Sequence, residues 1–454
     1  MEKNFITKSR ERIGYYGYFF GQNIIYGFVT VLLSVYYATA LGIPAAIVGS
    51  ILLIARVWDA INDPMLSILV EKTNLKNGKF KPWIKCVAII IPGITVLLFS
   101  FTNLLAGMSL AARISYATIT YILWGMVYTI SDAPAFALAT VMTDVTEERT
   151  SIISHARIFS LAGILLALVG GPALLQYLGQ NWFFTAVVLS GLSLVFLLFV
   201  NLTKERVDSR NESPSLKQIL SAIFQNKYII IMVFTLLFVN GFNFAQIIAP
   251  FLAADVFENA SLTSVILGVL LLPTVICAAI TPLLVPKIGK NAILKMSFIA
   301  IIVFSTITYF VGYNNFTIFI ILQFIRGLFA SFVLVVDALF FADCIEYDFY
   351  KKGKKFEAAV FSARTFTAKA SAAVGGAGGM WMIAHFGFKE SIAGQTVVQT
   401  QRAIDGIWFT YNIGPVLGAV IALVLFSLLY DINEKTLKKM ASESKYSIKK
   451  TVDG

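Results

Sequence analysis

The sequence is poor in charged residues, in cysteine and in histidine. Only 13% of its 454 residues are charged, and it holds three cysteines and two histidines, whereas about 25% of the residues in ordinary soluble domains are charged. Cys86, Cys277 and Cys344 lie far apart in or beside apolar segments, without the spacing of a disulfide framework or a metal site. These shortages argue against disulfide scaffolds, metal clusters and nucleic-acid binding.

Apolar residues are abundant instead. Hydrophobic residues make up 58% of the chain, with 38 phenylalanines, and the mean hydropathy is +0.79. Because no water-soluble fold can bury that much apolar surface, the composition predicts an all-α polytopic membrane protein. Apolar stretches of about 20 residues or more predict twelve transmembrane helices. They lie near 13–41, 44–71, 84–105, 111–142, 151–178, 182–203, 228–256, 261–286, 292–312, 315–349, 357–386 and 406–431.

The net charge of +11 is distributed unevenly among the connections between these stretches. Alternate connections are basic, and the others hold little beyond Arg113, Lys389 and Arg402. The positive-inside rule therefore predicts a cell-membrane protein with both termini in the cytoplasm, and we expect no cleavable signal peptide. The basic residues expected inside are Lys3, Lys8, Arg10, Arg12, Lys72, Lys76, Lys79, Lys81, Lys85, Lys204, Arg206, Arg210, Lys217, Lys287, Lys290, Lys295, Lys351, Lys352, Lys354 and Lys355, with a Lys-rich tail over 435–450.

One long polar connection, 204–227, divides the chain near its middle. It predicts six-helix bundles over 1–203 and 228–431, followed by a cytoplasmic basic tail over 432–454. The second helix of each half ends in a similar way, with DPMLSILVEKTNLKNGKFKPW in the first half and TPLLVPKIGKNAIL in the second. Two parallel repeats of six helices, each with a basic turn after its second helix, describe the major facilitator architecture.

Charged residues within the second apolar stretch indicate a functional site, because charge in the hydrocarbon region is costly. Asp59 and Asp63 are spaced i, i+4, and Arg56 lies three residues before Asp59, so the three share one helix face. Two carboxylates so close in a low dielectric repel each other, and bound Na⁺, Li⁺ or H⁺ would relieve that repulsion. The alternative is that Arg56 only neutralises Asp59.

The fourth stretch carries a second polar group. Thr129 and Asp132 are three residues apart, and Tyr128 and Phe136 lie four residues to either side of Asp132. Aromatic rings and a carboxylate suit a sugar, which offers apolar C–H faces and paired hydroxyls. Arg157 of the fifth stretch is a candidate partner for Asp132 or donor to a hydroxyl. The alternative for Tyr128 and Phe136 is ordinary packing.

Other interior charges follow in the second half. Lys369 lies among small residues that permit close helix packing, and it is a candidate to neutralise Asp59 and Asp63 when no cation is bound. An acidic group next to a run of lysines indicates a cytoplasmic gate of salt bridges, with a solvated loop as the alternative. Its members are Asp343, Glu346 and Asp348.

Five further residues receive structural interpretations. Arg326 and Asp337 are candidates for a structural ion pair. Arg364 is expected to extend its charge toward the membrane surface. His155 and His385 are expected to do no chemistry.

The motifs in this order resemble those of the glycoside–pentoside–hexuronide:cation symporters, the melibiose-permease-like branch of the major facilitator superfamily. The resemblance covers nearly the whole chain and both halves. GKFKPW is specific to this branch. The motifs are RVWDAINDP (56–64), GKFKPW (78–83), YILWGMVYTISDAP (121–134), Arg157 in ARIFSLAG, DCIEYDFYKKGKKFE (343–357) and TAKA (367–370).

The resemblance implies a twelve-helix symporter that imports a sugar, glycoside, pentoside or hexuronide with Na⁺, Li⁺ or H⁺ by alternating access. It implies that Lys369 is the lysine that interacts with the cation site. The implied cation ligands are Asp59, Asp63, Thr129 and Asp132, and the implied sugar ligands are Tyr128, Asp132, Phe136 and Arg157.

Two departures from the melibiose permeases bear on the substrate. Those permeases carry a lysine followed by an aspartate that accepts sugar hydroxyls on helix one, where this chain has the neutral pair Gln22 and Asn23. We expect Gln22 and Asn23 to contact the substrate in that place. Residue 136 is Phe where they have Trp. The loss of a carboxylate argues against α-galactosides and leaves both a hexuronide, paired with Arg157 or another base, and a neutral pentoside or glycoside open.

Other functions remain as alternatives. They are a cation-coupled carrier of a lysolipid-like or other amphiphilic solute, and a sugar sensor without transport. An enzyme is not expected, because no Ser/His/Asp spacing, acyltransferase run or metal cluster is present. We expect a monomer in the lipid bilayer, with no cofactor other than the coupling cation.

Overall fold

The architecture comes from a computed structural model of the chain. It describes residues 5–72, 78–206, 221, 223–352, 357–392, 397–433, 436–437 and 439–440. For residues 60–61, 63–64, 67–68, 71–72, 146, 352 and 357–359 it describes the backbone alone. Most of the predicted middle connection and basic tail therefore lies outside the described residues.

The first half of the chain forms six long helical segments. Three of them change pitch near one end: α1 continues as a π turn, α5 continues through a π turn and a short helix, and α6 ends in a 3₁₀ turn. The segments are α1 Ser9–Val35 with Tyr36–Ala40, α2 Ala45–Lys72, α3 Lys81–Leu98, α4 Leu110–Met142, α5 Thr146–Leu165 with Leu166–Gly170 and Gly171–Tyr177, and α6 Trp182–Leu197 with Leu198–Leu202.

The second half forms six more. Here the first helix, α7, is broken at residues 242–244 and resumes before a π turn. The segments are α7 Lys227–Gly241 with Ala245–Phe251 and Leu252–Val256, α8 Leu262–Ile288, α9 Lys290–Val311, α10 Phe316–Lys352, α11 Glu357–His385 and α12 Gln401–Leu429. No named strand occurs in the described part of the chain, and a lone antiparallel bridge joins Leu41 to Ile392.

The predicted fold class is confirmed: the described residues form an all-α membrane protein. Within the described part of the chain, ten helices are long and apolar enough to cross a membrane. The other two long segments, α2 and α11, carry Asp59 and Lys369 in their interiors. Because every predicted apolar stretch contains one long helix, the structure is consistent with twelve spans.

Several helices begin at side chains that accept hydrogen bonds from the first free backbone N–H groups. Ser109 accepts from Ala112 N (3.3 Å) at the start of α4. At the start of α7, Asn226 Oδ1 accepts from Tyr228 N (3.0 Å), while Asn226 Nδ2 donates to Cys344 O of α10 (3.0 Å). These caps satisfy donors that helix geometry leaves unpaired.

The chain divides into two compact units. Unit 1 comprises Met1–Asn211, Ala249–Gly268 and Ile383–Ile404, and unit 2 comprises Glu212–Ile248, Val269–Met382 and Asp405–Gly454. Unit 1 thus holds the first six helices together with two short segments from later in the chain. The predicted division at residues 203 and 228 stays a prediction.

The GKFKPW motif folds as the turn that opens α3 in unit 1. Glu205 accepts hydrogen bonds from the backbone N–H groups of Lys79 (2.7 Å), Phe80 (3.0 Å) and Lys81 (2.6 Å). Gly78 has a φ of +116° and lies so close to Glu205 that a Cβ would be 2.7 Å from the carboxyl group. The turn therefore requires glycine here, and the carboxylate of Glu205 caps the positive end of the helix.

Two other carboxylates stabilise the same end of unit 1. Glu11 forms an ion pair with Arg206, with Nη2 at 2.6 and 2.7 Å from its two oxygens. Glu148 accepts from Thr7 N (2.9 Å) and from the Thr143 hydroxyl (2.7 Å). These carboxylates are saturated by protein donors, so we assign them to stability.

Residues 390–391, in the later segment of unit 1, bond to the end of α1 and the start of α2. Glu390 accepts from Ala45 N (2.7 Å) at the first turn of α2. Ser391 donates from its backbone N–H to Ala38 O (3.2 Å) and from its hydroxyl to Thr39 O (2.8 Å). The later segment therefore completes the capping of helices from the first half.

Candidate functional site

The charged group on α2 lies where this helix meets α4. Arg56 Nη1 is 3.2 Å from Asp59 Oδ2, as their i, i+3 spacing predicts. Asp59, only 9% exposed, rests against Gly125 of α4, where a Cβ would lie 2.8 Å from its Oδ1. The absence of a side chain at Gly125 therefore admits the carboxylate. Asp63 falls on the same helix, but its side chain lies outside the described residues.

A seam of hydrogen bonds joins α1 to α4. Gln22, 1% exposed, donates from Nε2 to Asp132 Oδ1 at 3.1 Å. One turn away, the hydroxyl of Tyr18 lies 2.9 Å from Ser131 O and 2.6 Å from Ser131 Oγ. An amide donor bonded to a carboxylate fixes the orientation of that carboxylate, so Gln22 positions Asp132.

Aromatic rings extend this seam along α4. Tyr121 stacks on Trp124 with ring centroids 6.0 Å apart, and Trp124 stacks on Tyr128 at 5.0 Å. Tyr26 of α1 packs against Tyr128 at 5.3 Å, and the indole of Trp124 donates to Thr95 Oγ1 of α3 at 3.0 Å. The Tyr128 ring is consequently held in place by neighbouring rings, one turn from Asp132.

Thr129 and Asn23 both bond to their own helices. The Thr129 hydroxyl donates to Gly125 O at 3.1 Å, so it lies beside the residue that Asp59 contacts. The side-chain amide of Asn23 donates to Phe19 O at 2.8 Å. Of the two neutral residues that replace the charged pair of the melibiose permeases, Gln22 is therefore the one that reaches Asp132.

Phe136 and Arg157 lie at the edge of this group. Phe136 is exposed and packs against Phe19 of α1, with centroids 4.9 Å apart. Arg157 is exposed as well, and it makes no hydrogen bond or ion pair with any residue that the structure describes. The structure does not bring Arg157 to Asp132, whose amide partner is Gln22.

Unit 2 corrects two interpretations of interior charges. Arg364 forms a two-pronged ion pair with Asp337, with Nε–Oδ2 at 3.0 Å and Nη2–Oδ1 at 2.8 Å. The predicted Arg326–Asp337 pair is wrong, because eleven residues on one helix separate the two by about 16 Å. The prediction that Arg364 extends toward the membrane surface is also wrong.

Lys369 is half-buried on α11, in unit 2, and its role as a partner of Asp59 and Asp63 stays a prediction.

Small residues of α11 pack closely on α7, as the sequence predicts. A Cβ at Gly378 would lie 2.9 Å from the Phe244 ring, and one at Gly379 would lie 2.6 Å from Ile247. The backbone of the helix that carries Lys369 therefore approaches α7 more closely than larger residues permit.

The three acidic residues near the end of α10 differ in burial and in contacts. Asp343 is buried, pairs with Lys290 of α9 and accepts a hydrogen bond from the Tyr430 hydroxyl at 2.8 Å. Burial, with the nearby Asp343 carboxylate, raises the pKa of Tyr430, so the phenol stays protonated and acts as the donor. Asp348 is buried and Glu346 exposed. Their part in a gate stays a prediction.

Two residues of the seam were not anticipated from the sequence. Tyr18 and Tyr26 flank Gln22 at spacings of four residues, which places all three on one face of α1. That spacing is the signal by which the seam was detectable. The sequence did not indicate that this face of α1 contacts α4, because a helix face does not specify the helix that it contacts.

These features define a helical membrane transporter: a buried and a half-buried carboxylate lie with amides and rings between membrane-spanning helices. Residues 17–434 match the model of a family described as MFS/sugar transport protein. The chain belongs to this family, which confirms the resemblance found in the motifs, and it is a secondary transporter of the major facilitator type rather than an enzyme.

Known relatives match along almost their full length. The chain is 26% identical over 455 residues to the inner membrane symporter YicJ of Escherichia coli (strain K12), covering 97% of this chain and 96% of that one. It is 26% identical over 457 residues to the isoprimeverose transporter of Lactiplantibacillus pentosus, covering 97% and 92%. Among solved structures, the nucleoside transporter NupG has the same fold, with a TM-score of 0.66, 15% identity and coverage of 93% and 99%.

Proposed function

We propose that the protein imports a sugar, glycoside, pentoside or hexuronide by symport with Na⁺, Li⁺ or H⁺. One observation carries the proposal: within unit 1, Asp59 rests on Gly125 of α4 while Asp132 of the same helix is held by Gln22. Buried carboxylates in a membrane helix bundle are costly and mark ion or substrate paths. The family description and the name of the isoprimeverose transporter support a sugar-type substrate.

The proposed role of each residue follows from the chemistry of its oxygen atoms. Carboxylate and hydroxyl oxygens are the ligands of hard cations, so Asp59, Asp63 and Thr129 would bind the coupling ion. Asp132 would bind both the cation and sugar hydroxyls, beside the ring of Tyr128. Gln22, with an acceptor oxygen that has no hydrogen-bond partner among the described residues, adds a second polar contact for a sugar.

Coupling has a direct route along α4. Thr129 and Asp132 are one turn apart, about 4.5 Å along the helix axis. A cation that fixes these side chains lowers the conformational cost of sugar binding, and the sugar must then strengthen cation binding by the same factor. Lys369 would neutralise the empty cation site. We further propose that the transporter acts in the cell membrane as a monomer with cytoplasmic termini, in line with the positive-inside pattern.

The proposal is tested by counterflow and by gradient-driven uptake in proteoliposomes, with labelled glycosides, pentosides and glucuronides, with and without Na⁺. We expect saturable exchange of one sugar class by the natural protein and its loss in Asp132→Asn. Asp144→Asn, at an exposed carboxylate of the turn after α4, serves as the matched control and keeps exchange. Failure of the natural protein to exchange any sugar would overturn the proposal.

A further inference from the structure

Unit 2 contains a buried arginine without a carboxylate partner among the described residues. Arg326 lies within α10 and is 3% exposed. Its Nη1 donates to Tyr411 O at 3.3 Å, and its guanidinium lies 4.9 Å from the centre of the Tyr411 ring. Its Nη2 is buried and has no hydrogen-bond partner in the described structure. A buried cation without a counter-charge is costly, so the position calls for an anion.

This arginine faces a small cavity at the break in α7. The cavity has a volume of about 50 Å³ and is lined by Arg326, Asn240, Asn243, Ala330 and Pro415, among others. Asn240 and Asn243 flank the point where α7 stops at Gly241 and resumes at Ala245. Irregular backbone at membrane depth is tolerated where it lines a cavity, and broken helices form the substrate sites of many transporters.

The chemistry of the lining selects an anionic oxygen group. A guanidinium with a free N–H edge binds a carboxylate or sulfonate through parallel hydrogen bonds, and the two amides supply further donors. A volume of 50 Å³ holds about three water-sized groups. That is enough for one charged group and too little for a sugar ring.

We propose that the Arg326 cavity is a subsite for the carboxylate or sulfonate of an acidic sugar. The proposal rests on the proposed function, because it assigns one part of the transported sugar. The stacked Tyr411 ring and its carbonyl oxygen hold the guanidinium in place, so that its second edge is presented to the ligand. The subsite lies wholly within unit 2, on residues outside the motifs that carry the family resemblance.

The test compares two sugars that differ only at one carbon: methyl β-glucuronide and methyl β-glucoside. Counterflow is measured for the natural protein, Arg326→Gln and Arg326→Lys in proteoliposomes. We expect the half-saturating concentration of the glucuronide to rise by about tenfold or more in Arg326→Gln, as loss of a charged hydrogen bond predicts. Exchange of the glucoside stays within about twofold, and Arg326→Lys recovers part of the loss because it keeps the charge.

Arg364→Gln is the control, since Arg364 already pairs with Asp337. This change is expected to affect both sugars equally. Equal losses of both sugars in Arg326→Gln, or a natural protein without preference for the glucuronide, would overturn the subsite.

A second readout does not depend on transport. Sodium glucuronate at a concentration above its dissociation constant should raise the melting temperature of the detergent-solubilised natural protein by about 2 °C relative to glucose at equal ionic strength. Arg326→Gln should show no such shift. If the natural protein exchanges no sugar, the proposed function fails, and this shift decides the anion subsite separately. Equal shifts in both proteins would overturn it.

Discussion

The two units differ in how their interior charges are paired. In unit 1 the carboxylates between helices are Asp59, which is buried and pairs with Arg56, and the half-buried Asp132, which accepts a hydrogen bond from Gln22. In unit 2 Asp337 and Asp343 are matched by bases, and Asp348 is buried as well. Arg326 has no acidic partner among the described residues. The proposals made above place the cation in unit 1 and the anionic group of the substrate at Arg326 in unit 2.

The comparison also separates structural charges from functional ones. Glu11, Glu148 and Glu205 have their oxygens saturated by protein donors at the helix ends. Asp132 and Arg326 instead lie deep in their helices and have polar neighbours suited to a ligand. A carboxylate that the protein has saturated contributes to stability, whereas Asp132 and Arg326 are the charges to which we propose roles in transport.

Substitution of Asp59 should produce the largest effect, because it removes the buried carboxylate of α2 in unit 1. Loss of one buried charge partner costs about 2–5 kcal/mol, so gradient-driven sugar accumulation in Asp59→Asn should fall by about 100-fold. Sugar counterflow should persist, since exchange requires no net cation movement. Uptake driven by an imposed Na⁺ or H⁺ gradient measures the change, with Asp144→Asn as the control. Accumulation at the natural level in Asp59→Asn would contradict the assignment.

Asp337 tests whether the paired acids of unit 2 are structural. Asp337→Asn leaves Arg364 without its carboxylate, which should lower the free energy of unfolding by about 2–3 kcal/mol. Thermal denaturation in detergent measures the loss. The double variant Asp337→Asn with Arg364→Gln should be more stable than Asp337→Asn alone, because no unpaired charge is left behind at this half-buried position. Equal stability of the natural protein and Asp337→Asn would show that the pair contributes nothing.

Gln22 tests how far the seam positions Asp132. Gln22→Ala removes the hydrogen bond of 3.1 Å, and a bond to a charged group is worth about 1.5–3 kcal/mol. The half-saturating sugar concentration should therefore rise by about tenfold. Counterflow at a series of sugar concentrations gives this value. Asn23→Ala is the matched neighbour, because its amide bonds to its own helix, and an equal rise in both variants would contradict the special position of Gln22.

The smallest effect is expected at Tyr430. Tyr430→Phe removes the hydroxyl that donates to Asp343 at 2.8 Å, which should cost about 1 kcal/mol of stability. Asp343 keeps Lys290, so transport should change little. Melting temperature and uptake measured on the same preparation separate the two effects, and a transport loss without a loss of stability would assign Tyr430 to the gate instead.

The helices and part of the site were predictable because they depend on local patterns. An apolar run of about 20 residues specifies a membrane helix on its own, and the i, i+3 spacing of Arg56 and Asp59 predicts their contact. The same reasoning places Asp132 and Thr129 on α4, where the structure has them, and their roles stay predictions.

Pairings between helices were not predictable in this way. The partners of Asp337 and Glu205 come from other parts of the chain, 27 and 126 residues away, and no local pattern specifies them. The GKFKPW motif likewise gave its family but not its role as a turn that Glu205 caps. Spacing along α10 suggests Asp337 as a partner for Arg326, but spacing on one helix gives no information about partners on other helices.

The most direct test of the account is the dissociation constant of the transported sugar, measured by calorimetry on the purified protein. Two series are needed: Na⁺ against choline at fixed pH, and a change of pH without Na⁺. Cation coupling predicts tighter sugar binding along one of the two series in the natural protein, and an equal tightening of cation binding by the sugar. In Asp59→Asn the sugar dissociation constant should not depend on Na⁺ or on pH. A single sugar dissociation constant under all these conditions in the natural protein would contradict cation coupling.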